Sequence, residues 1–296
     1  MTTMVVVASA AQAKHVRHLQ RVAGNLTVVW CSKRGKVDVD HAASIGNAIT
    51  PGVGQALFLA PTSTLSADVA RCRQSGIDVR VAGPIPGDRD MGLNEAAAQP
   101  LWGEPWRHDG QWCRLLTARR RRAFGDGVFY RRVSGGGSGG ALSTWWALWH
   151  GMTESALTLS QPFEQIRLNV TRVAPRRGWH ATLHIRSTTG SSALVGVTPQ
   201  PDADLVDRML VGTGGSLTTQ ATDTGSVLIR RDTTIQPIDS DAHPLSAWID
   251  SVCQTGHAMD PPVPPAEGFE TRALGPDDLL TALGRAGRDG KTIDLL

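Results

Sequence analysis

The sequence lacks any apolar run near the roughly 20 residues that a membrane-spanning helix needs. It also lacks a basic residue ahead of its first apolar run, so residues 1–13 do not resemble a secretory signal. These two absences predict a cytoplasmic protein with no membrane partner.

The sequence has no Cys-x-x-Cys pair and a single tyrosine. The cysteines stand far apart without a Cys-x-x-Cys motif, so the spacing of a zinc site is missing and free thiols in a reducing compartment are predicted for Cys31, Cys72, Cys113 and Cys253. Tyr130 is the single tyrosine beside nine tryptophans, and it is therefore the only phenol available for acid–base chemistry.

The sequence has no large excess of positive or negative charge. The chain has 30 Lys and Arg residues against 27 Asp and Glu residues, a net charge of +3. A nucleic-acid-binding protein usually concentrates more positive charge on one face, so nucleic acid is not an expected partner. The one basic cluster, residues 119–122, is predicted to be a solvated helix face, with phosphate contact as the alternative.

Apolar residues are plentiful enough for a folded core. Hydrophobic residues make up 41% of the 296 positions and charged residues 19%, which is unlike the composition of a disordered chain. The length fits one large domain or two ordinary ones.

The first part of the chain alternates short β-branched runs with helical stretches. Strands are predicted over residues 4–8, 26–31, 55–60 and 78–82, and helices over 14–23, 40–49 and 63–75. This alternation predicts a parallel sheet with helices on both faces. Ligands of such sheets bind at the carboxyl ends of the strands.

The pattern changes near residue 123. Later strands alternate apolar and polar residues, as in Ile166, Leu168 and Val170, which is typical of an antiparallel sheet with one buried face. Helices are predicted over 112–124, 141–159, 243–253 and 277–288. The predicted fold class is α/β followed by α+β: a Rossmann-like parallel-sheet domain over residues 1–122, then an open, mainly antiparallel sheet domain flanked by helices over 123–296.

Four landmarks appear in order along the second part. They are residues 120–131 with Phe124-Gly125-Asp126, the glycine-rich entry to a helix at residues 137–141, the run over residues 208–217 that contains Gly212-Thr213-Gly214-Gly215-Ser216-Leu217, and the last helix and tail at residues 277–295. Glycines in the third landmark are expected to permit positive φ in a tight hairpin turn.

With these landmarks the sequence resembles the Gfo/Idh/MocA family of nicotinamide-dependent oxidoreductases over nearly its whole length. The resemblance implies a small-molecule substrate and an open sheet that pairs between subunits. A homodimer or homotetramer is therefore expected, or a hetero-complex with an active homologue.

The phosphate loop departs from the family. The G-x-G-x-x-G positions between the first strand and helix hold Ala8, Ser9, Ala10, Ala11, Gln12 and Ala13. A methyl group at Ala10 pushes the phosphates outward, but the helix N-terminus still offers its N–H groups to an anion. Ala8, Ser9, Ala10 and Ala13 are the predicted cofactor contacts here, together with Pro61 after the third strand; the alternative is a packed turn that binds no nucleotide.

The end of the second strand favours NADP(H). Ser32, Lys33 and Arg34 follow that strand, and no acidic residue lies in the turn. An acidic residue would bind the ribose of NAD, whereas a nearby Arg accommodates a 2′-phosphate. The alternative is an exposed basic turn.

The catalytic residues of the family are not in place. The resemblance implies a lysine in an E-K-P motif where this chain has Ala82-Gly83-Pro84, and an Asp and a His where it has Thr144 and Leu148. His150 and Glu154 share a helix face, and a carboxylate beside an imidazole raises the pKa of the imidazole and makes it a usable acid. His150, Glu154 and Tyr130 are the candidate catalytic residues; a packed polar pair is the alternative.

The second part of the chain also contains a tryptophan cluster and a histidine pair. Trp145, Trp146 and Trp149 line the same helix, either as core or as the wall of an aromatic pocket. His180 and His184 share a strand face but lie about 13 Å apart, too far for one ion, so no metal site is predicted.

Three functions remain open. The first is an NADPH-dependent oxidoreductase acting on a carbonyl, imine or hydroxyl of a small molecule, such as a secondary metabolite. The second is a non-redox cyclase, lyase or isomerase on the same fold. The third is a catalytically silent partner subunit.

Overall fold

The computed structural model describes residues 3–23, 25–31, 35–87, 103–120, 124–136, 139–172, 178–200, 206–219, 226–229, 235–238, 243–255 and 274–296. In chain order its strands and α-helices are β1 (Thr3–Ala8), α1 (Ala13–Ala23), β2 (Leu26–Trp30), β3 (Asp40–Ala42), α2 (Ile45–Ala48), β4 (Val53–Phe58), α3 (Leu65–Gln74), β5 (Asp78–Val81), α4 (Gly110–Arg119), β6 (Gly127–Ser134), α5 (Gly140–Leu159), β7 (Phe163–Arg172), β8 (Trp179–Ser187), β9 (Ser192–Val197), β10 (Val206–Gly212), β11 (Gly215–Thr219), β12 (Ser226–Ile229), β13 (Ile235–Ile238), α6 (Pro244–Thr255), α7 (Pro276–Asp289) and β14 (Ile293–Asp294).

The first sheet is parallel throughout and has the order β3-β2-β1-β4-β5. Its central strand β1 is a run of β-branched residues whose members Val5, Val6 and Val7 are almost fully buried. Burial on both faces is why this strand reads as a continuous apolar run. The predicted parallel sheet and its four strands are confirmed, with end points within two residues.

The helix predicted over residues 40–49 is wrong. Residues 40–42 form the edge strand β3, which pairs with β2. Helix α2 begins only after Ser44, whose Oγ accepts from Asn47 N–H at 3.3 Å. It ends before Thr50, which precedes Pro51, and a residue before proline disfavours helical geometry. A pattern of ten residues therefore divides into two short elements.

The second sheet has seven strands in the order β11-β10-β6-β9-β8-β7-β14. Among the strands that the structure describes in this sheet, only β6 and β9 pair in parallel, and the other pairs are antiparallel. The inward residues predicted from alternation, Ile166, Leu168 and Val170, are all buried. The predicted mainly antiparallel sheet with flanking helices is confirmed. Strands β12 and β13 form a separate antiparallel pair.

The chain divides into two units at places that differ from the expected single boundary after residue 122. One unit contains the described residues of 1–105 and 244–261, and the other those of 106–243 and 262–296. Helix α6 joins the first unit because it packs on α1: His18 Nε2 lies 2.6 Å from Asp250 Oδ1, and His15 Nδ1 lies 3.0 Å from Ser246 Oγ. Helix α4 belongs to the second unit.

The hairpin between β10 and β11 corrects the expectation of positive φ. Neither Gly212 nor Gly214 has φ in the left-handed region, whereas Gly125 does, with φ of 72°. Gly212 is needed for space instead, since a Cβ there would lie 2.6 Å from the carbonyl oxygen of Phe124. Gly214 N–H donates to that same oxygen at 2.8 Å.

Candidate functional site

The carboxyl edge of the parallel sheet is the first candidate site. Ligands of such sheets bind where the strand order reverses, which here lies between β1 and β4. Pairing continues one residue past the strands at this edge: Leu59 N–H donates to Val7 O at 2.8 Å, and Cys31 N–H donates to Ala8 O at 2.9 Å. We call the space outside the ends of β1 and β4 the switch crevice.

The loop after β1 brings the predicted cofactor contacts to this crevice. Ala8 is buried in the last position of β1, whereas Ser9, Ala10 and Ala13 are half-buried. Ser9 is extended, with φ of −90°, and a single 3₁₀ turn over Ala10–Gln12 leads directly into α1. None of residues 8–13 has φ in the left-handed region, so alanine at the three glycine positions creates no backbone strain.

Backbone N–H groups at the start of this helix fit an anionic group. The hydrogen bonds of the turn begin with Gln12 N–H, which donates to Ser9 O at 2.9 Å. The N–H groups of Ala10 and Ala11 therefore lie ahead of the helical ladder, at the positive end of the helix dipole. Ala10 is half-buried and Ala11 is exposed. These two groups suit the pyrophosphate of a dinucleotide.

Gln12 is the residue of this loop that sequence reasoning missed. Its Oε1 accepts from Ser9 N–H at 2.9 Å, and its Nε2 donates to the carbonyl oxygen of Leu59. The side chain thus spans the switch crevice from the loop after β1 to the end of β4. A signal was available, because Ser-x-x-Gln ahead of an apolar run is a capping-box pattern.

Ser32, Lys33 and Arg34, the predicted 2′-phosphate contacts, lie outside the described residues. On one side of them is Trp30, whose Nε1 donates to Nδ1 of His41 at 2.9 Å. On the other side is Gly35, which packs so closely on the Trp30 indole that a Cβ would lie 2.6 Å from ring atom Cζ3.

The ends of β4 and β5 offer the crevice no ionisable side chain. Pro61 is half-buried and follows the buried residues Leu59 and Ala60. Ala82, Gly83 and Pro84 are all buried, and Ala82 N–H donates to Phe58 O at 2.9 Å. The lysine that the resemblance implies thus has no substitute at these three positions.

The second unit brings two predicted catalytic residues together in its core. Glu154, on α5, accepts at Oε1 from the Tyr130 hydroxyl and from Arg208 Nε at 2.7 Å. At Oε2 it accepts from Arg132 Nε at 3.1 Å and from a terminal nitrogen of Arg208 at 3.3 Å. Both oxygens of the carboxylate are therefore occupied by neighbours on β6 and β10.

A second carboxylate completes this buried cluster. Asp109 Oδ2 lies 2.7 Å from Nη2 of Arg208. Its Oδ1 accepts from Gln111 N–H at 2.9 Å and from Trp112 N–H at 3.4 Å, so Asp109 also caps α4. Two carboxylates and two guanidinium groups balance in charge, as buried ions must. We call Asp109, Tyr130, Arg132, Glu154 and Arg208 the buried ion cluster.

The electrostatics of the buried ion cluster fix its protonation states. Burial would raise the pKa of Glu154, but Arg208 and Arg132 outweigh it and the net shift is downward. Burial and then Glu154 raise the pKa of Tyr130 well above its usual value. Glu154 therefore stays ionised and Tyr130 stays neutral at ordinary pH, and neither has any exposed surface through which a substrate could reach it.

His150 does not act as expected beside Glu154. Burial and then Arg132 lower the pKa of His150 to about 3, against a weaker opposing effect of Glu154. Glu154 raises the pKa of this imidazole as predicted, but burial and Arg132 outweigh it, so the net shift is downward and the expected usable acid is not formed. Nε2 of His150 is buried and has no hydrogen-bond partner among the described residues. A neutral, half-buried imidazole with an enclosed Nε2 is not prepared to donate a proton at neutral pH.

The other positions discussed on α5 belong to the core. Thr144 and Leu148 have no exposed surface, and Thr144 Oγ1 donates to the carbonyl oxygen of Gly140 at 2.9 Å. Trp145, Trp146 and Trp149 are all buried, at 6% exposure or less. Of the two interpretations of these tryptophans, core packing is the one the structure has.

The two histidines of β8, His180 and His184, are exposed, and the chain has four cysteines. His180 and His184 lie on the outer face of β8. Within the part of the chain that the structure describes, no group of three or more His, Cys, Asp or Glu residues could hold a metal ion. All four cysteines are free, and Cys72 is buried. Among the described helices, none is long and apolar enough to cross a membrane.

Solved structures share this architecture at low sequence identity. No protein-family model and no curated protein sequence matches the chain. A myo-inositol dehydrogenase from Corynebacterium glutamicum is 16% identical, with 100% of this chain and 99% of that chain covered and a TM-score of 0.57. An aldose-aldose oxidoreductase from Caulobacter crescentus is 14% identical, with both chains fully covered (100%) and a TM-score of 0.62.

A third structure was solved with a cofactor. GenD2 from gentamicin A biosynthesis, in complex with NAD, is 14% identical, with 100% of this chain and 97% of that chain covered and a TM-score of 0.61. At identities this low, the structural similarity establishes the fold alone. Over its whole length, this chain therefore has the fold of the Gfo/Idh/MocA-type oxidoreductases.

Proposed function

We propose that the chain is an oxidoreductase that binds NADP(H) at the switch crevice and transfers hydride to or from a carbonyl, imine or hydroxyl of a small molecule. The observation that carries the proposal is the turn after β1, where the N–H groups of Ala10 and Ala11 precede the helical ladder at the reversal of strand order. The fold shared with dehydrogenases supports it.

In this proposal the chain supplies binding and orientation. The nicotinamide supplies the hydride chemistry when it is bound. Ala10 and Ala11 donate their N–H groups to the pyrophosphate, while Lys33 and Arg34 pair with the 2′-phosphate that distinguishes NADP(H) from NAD(H).

The test of cofactor choice is a pair of dissociation constants, for NADPH and for NADH. The unaltered chain is expected to prefer NADPH by about tenfold or more, as one charge-assisted contact provides. Arg34→Ala should remove this preference, whereas Arg17→Ala, at an exposed position on α1, should leave it unchanged. Equal affinity of the unaltered chain for the two cofactors would refute the role of the basic turn.

A catalytically silent partner subunit is the second candidate function. It is favoured by the buried, non-ionisable segment Ala82-Gly83-Pro84 and by the sealed side chains of Thr144 and Leu148, where the resemblance implies catalytic residues. Binding of NADPH without turnover of any carbonyl, imine or alcohol substrate would favour this second function.

The outer face of the seven-stranded sheet supports self-association. Leu194 lies between Arg131 and His184 in register, and Phe129, Val133 and Met209 share this outer face with it. These four apolar residues are half-buried, which leaves an apolar patch beside Arg131 and His184 for a second copy of the sheet. We propose a homo-oligomer built through this face.

A further inference from the structure

The amide of Gln12 joins two elements that a ligand of the switch crevice would separate. One end holds the N–H of Ser9, at 2.9 Å, and the other holds the carbonyl oxygen of Leu59. Leu59 is 2% exposed and directly follows β4, with its N–H still paired to Val7 of β1. The Gln12 side chain therefore lies across the point where the strand order reverses.

The amide oxygen of Gln12 occupies an N–H donor that a bound anion would also need. Ser9 N–H comes just before the N–H groups of Ala10 and Ala11, so the three form one series at the start of the helix. Gln12 Oε1 already accepts from the first of them. A phosphate oxygen is also only an acceptor, so it cannot share that donor with Oε1 without repulsion between lone pairs.

We propose that Gln12 is an internal competitor for the pyrophosphate of the dinucleotide and sets the affinity of the switch crevice. To seat the phosphates fully, the Gln12 side chain has to release Ser9 N–H and Leu59 O. This inference rests on the proposed function and names the residue that limits binding at that site.

The sign of the effect separates this role from a merely structural one. Gln12→Leu has similar length but no acceptor, so it frees Ser9 N–H for a phosphate and should tighten NADPH binding about tenfold. Gln12→Glu keeps an acceptor, loses the donor to Leu59 and adds negative charge, so it should weaken NADPH binding about tenfold. A purely structural residue would lose affinity with both changes.

The experiment measures NADPH binding by tryptophan fluorescence for the full-length chain and its variants. The matched control is Gln20→Leu on α1, outside the loop after β1, where the exposed amide donates to Asp38 O at 2.8 Å. Circular dichroism and the thermal midpoint show that each variant is folded. Inorganic pyrophosphate serves as a second probe, because it reports on the loop without the nicotinamide or the 2′-phosphate.

The possible results are distinct. Tighter binding of NADPH and pyrophosphate by Gln12→Leu, weaker binding by Gln12→Glu and no change in Gln20→Leu support the competitor role. If the unaltered chain binds NADPH and Gln12→Leu binds it no tighter, the competitor role is overturned and the proposed function stands. If only Gln12→Leu binds, the competitor role stands and cofactor use by the unaltered chain is overturned. If neither binds at millimolar ligand, both are overturned.

Discussion

At Glu154, four hydrogen bonds converge on one carboxylate that has no exposed surface. Removing one partner from a buried ion pair leaves uncompensated charge, which costs more than the pair itself contributes. Glu154→Gln should therefore lower the free energy of unfolding by about 3–5 kcal/mol, measured by urea denaturation. Glu164→Gln, at an exposed position on β7, is the control and should change it by less than about 0.5 kcal/mol. Equal effects of the two variants would contradict the account of the buried ion cluster.

His150 makes the stability of the fold depend on pH. Folded His150 has a pKa of about 3, whereas an imidazole in the unfolded chain has a pKa near 6.5. Below pH 6.5 the unfolded state binds a proton that the folded state does not, so the free energy of unfolding falls as pH falls, by up to about 1.4 kcal/mol per pH unit.

The change should be measured between pH 6.5 and 4.5 by denaturant titration. Arg208 and Arg132 lower the pKa of Glu154, so its contribution to stability is lost in more acidic solution than that of His150. In that window His150→Gln should flatten the dependence on pH, and His184→Gln, at an exposed position, should not. An unchanged slope in His150→Gln would show that His150 is protonated in the folded state.

Several site residues were out of reach of sequence reasoning because their role depends on distant partners. The spacing of four residues predicts that Glu154 pairs with His150, yet the partners of Glu154 are Tyr130, Arg132 and Arg208 on β6 and β10. The sign of the pKa shift of His150 could not be predicted from helix spacing, since it is set by burial and Arg132. Gln12, by contrast, was predictable from the capping-box pattern.

At the scale of the elements, helix α5 packs closely on strand β9 at Gly151. A Cβ at Gly151 would overlap Cγ1 of Val195 on β9 and lie 3.2 Å from Arg132 Nη1. Gly151→Ala should therefore lower the free energy of unfolding by about 1–3 kcal/mol despite the better helix propensity of alanine.

The matched control for Gly151 lies in α7. At Gly284 a Cβ would meet only Arg288 Nη1, at an ordinary 3.8 Å. Gly284→Ala should raise the free energy of unfolding by up to about 1 kcal/mol, because only the helix propensity changes. Stabilisation by both variants in urea denaturation would contradict the close packing of α5 on β9.

The long elements were predictable and the short ones were not. The strands of both sheets follow directly from apolar runs and alternation, as in β1 and β7. The sequence predicts one helix where the structure has strand β3 and helix α2, because three or four residues carry too little periodicity to separate them. The return of α6 to the first unit depends on contacts such as His18 with Asp250, which no local pattern encodes.

For the whole molecule, self-association is expected to depend on the outer face of the seven-stranded sheet. Leu194→Glu replaces an apolar residue of that face by a charged one and should lower the molar mass measured by light scattering after size exclusion. Gln74→Glu, at an exposed position on α3, should leave it unchanged. A monomeric unaltered chain, or an oligomer that survives Leu194→Glu, would contradict the proposed interface.

The most direct test of the central claim is a titration of the unaltered chain with NADPH, followed by energy transfer from its nine tryptophans to the reduced nicotinamide. The account predicts saturable binding with a micromolar dissociation constant, because the turn after β1 still presents the N–H groups of Ala10 and Ala11. Absence of binding at millimolar NADPH would contradict the proposal that this chain uses a nicotinamide cofactor. It would leave the silent partner subunit as the function to pursue.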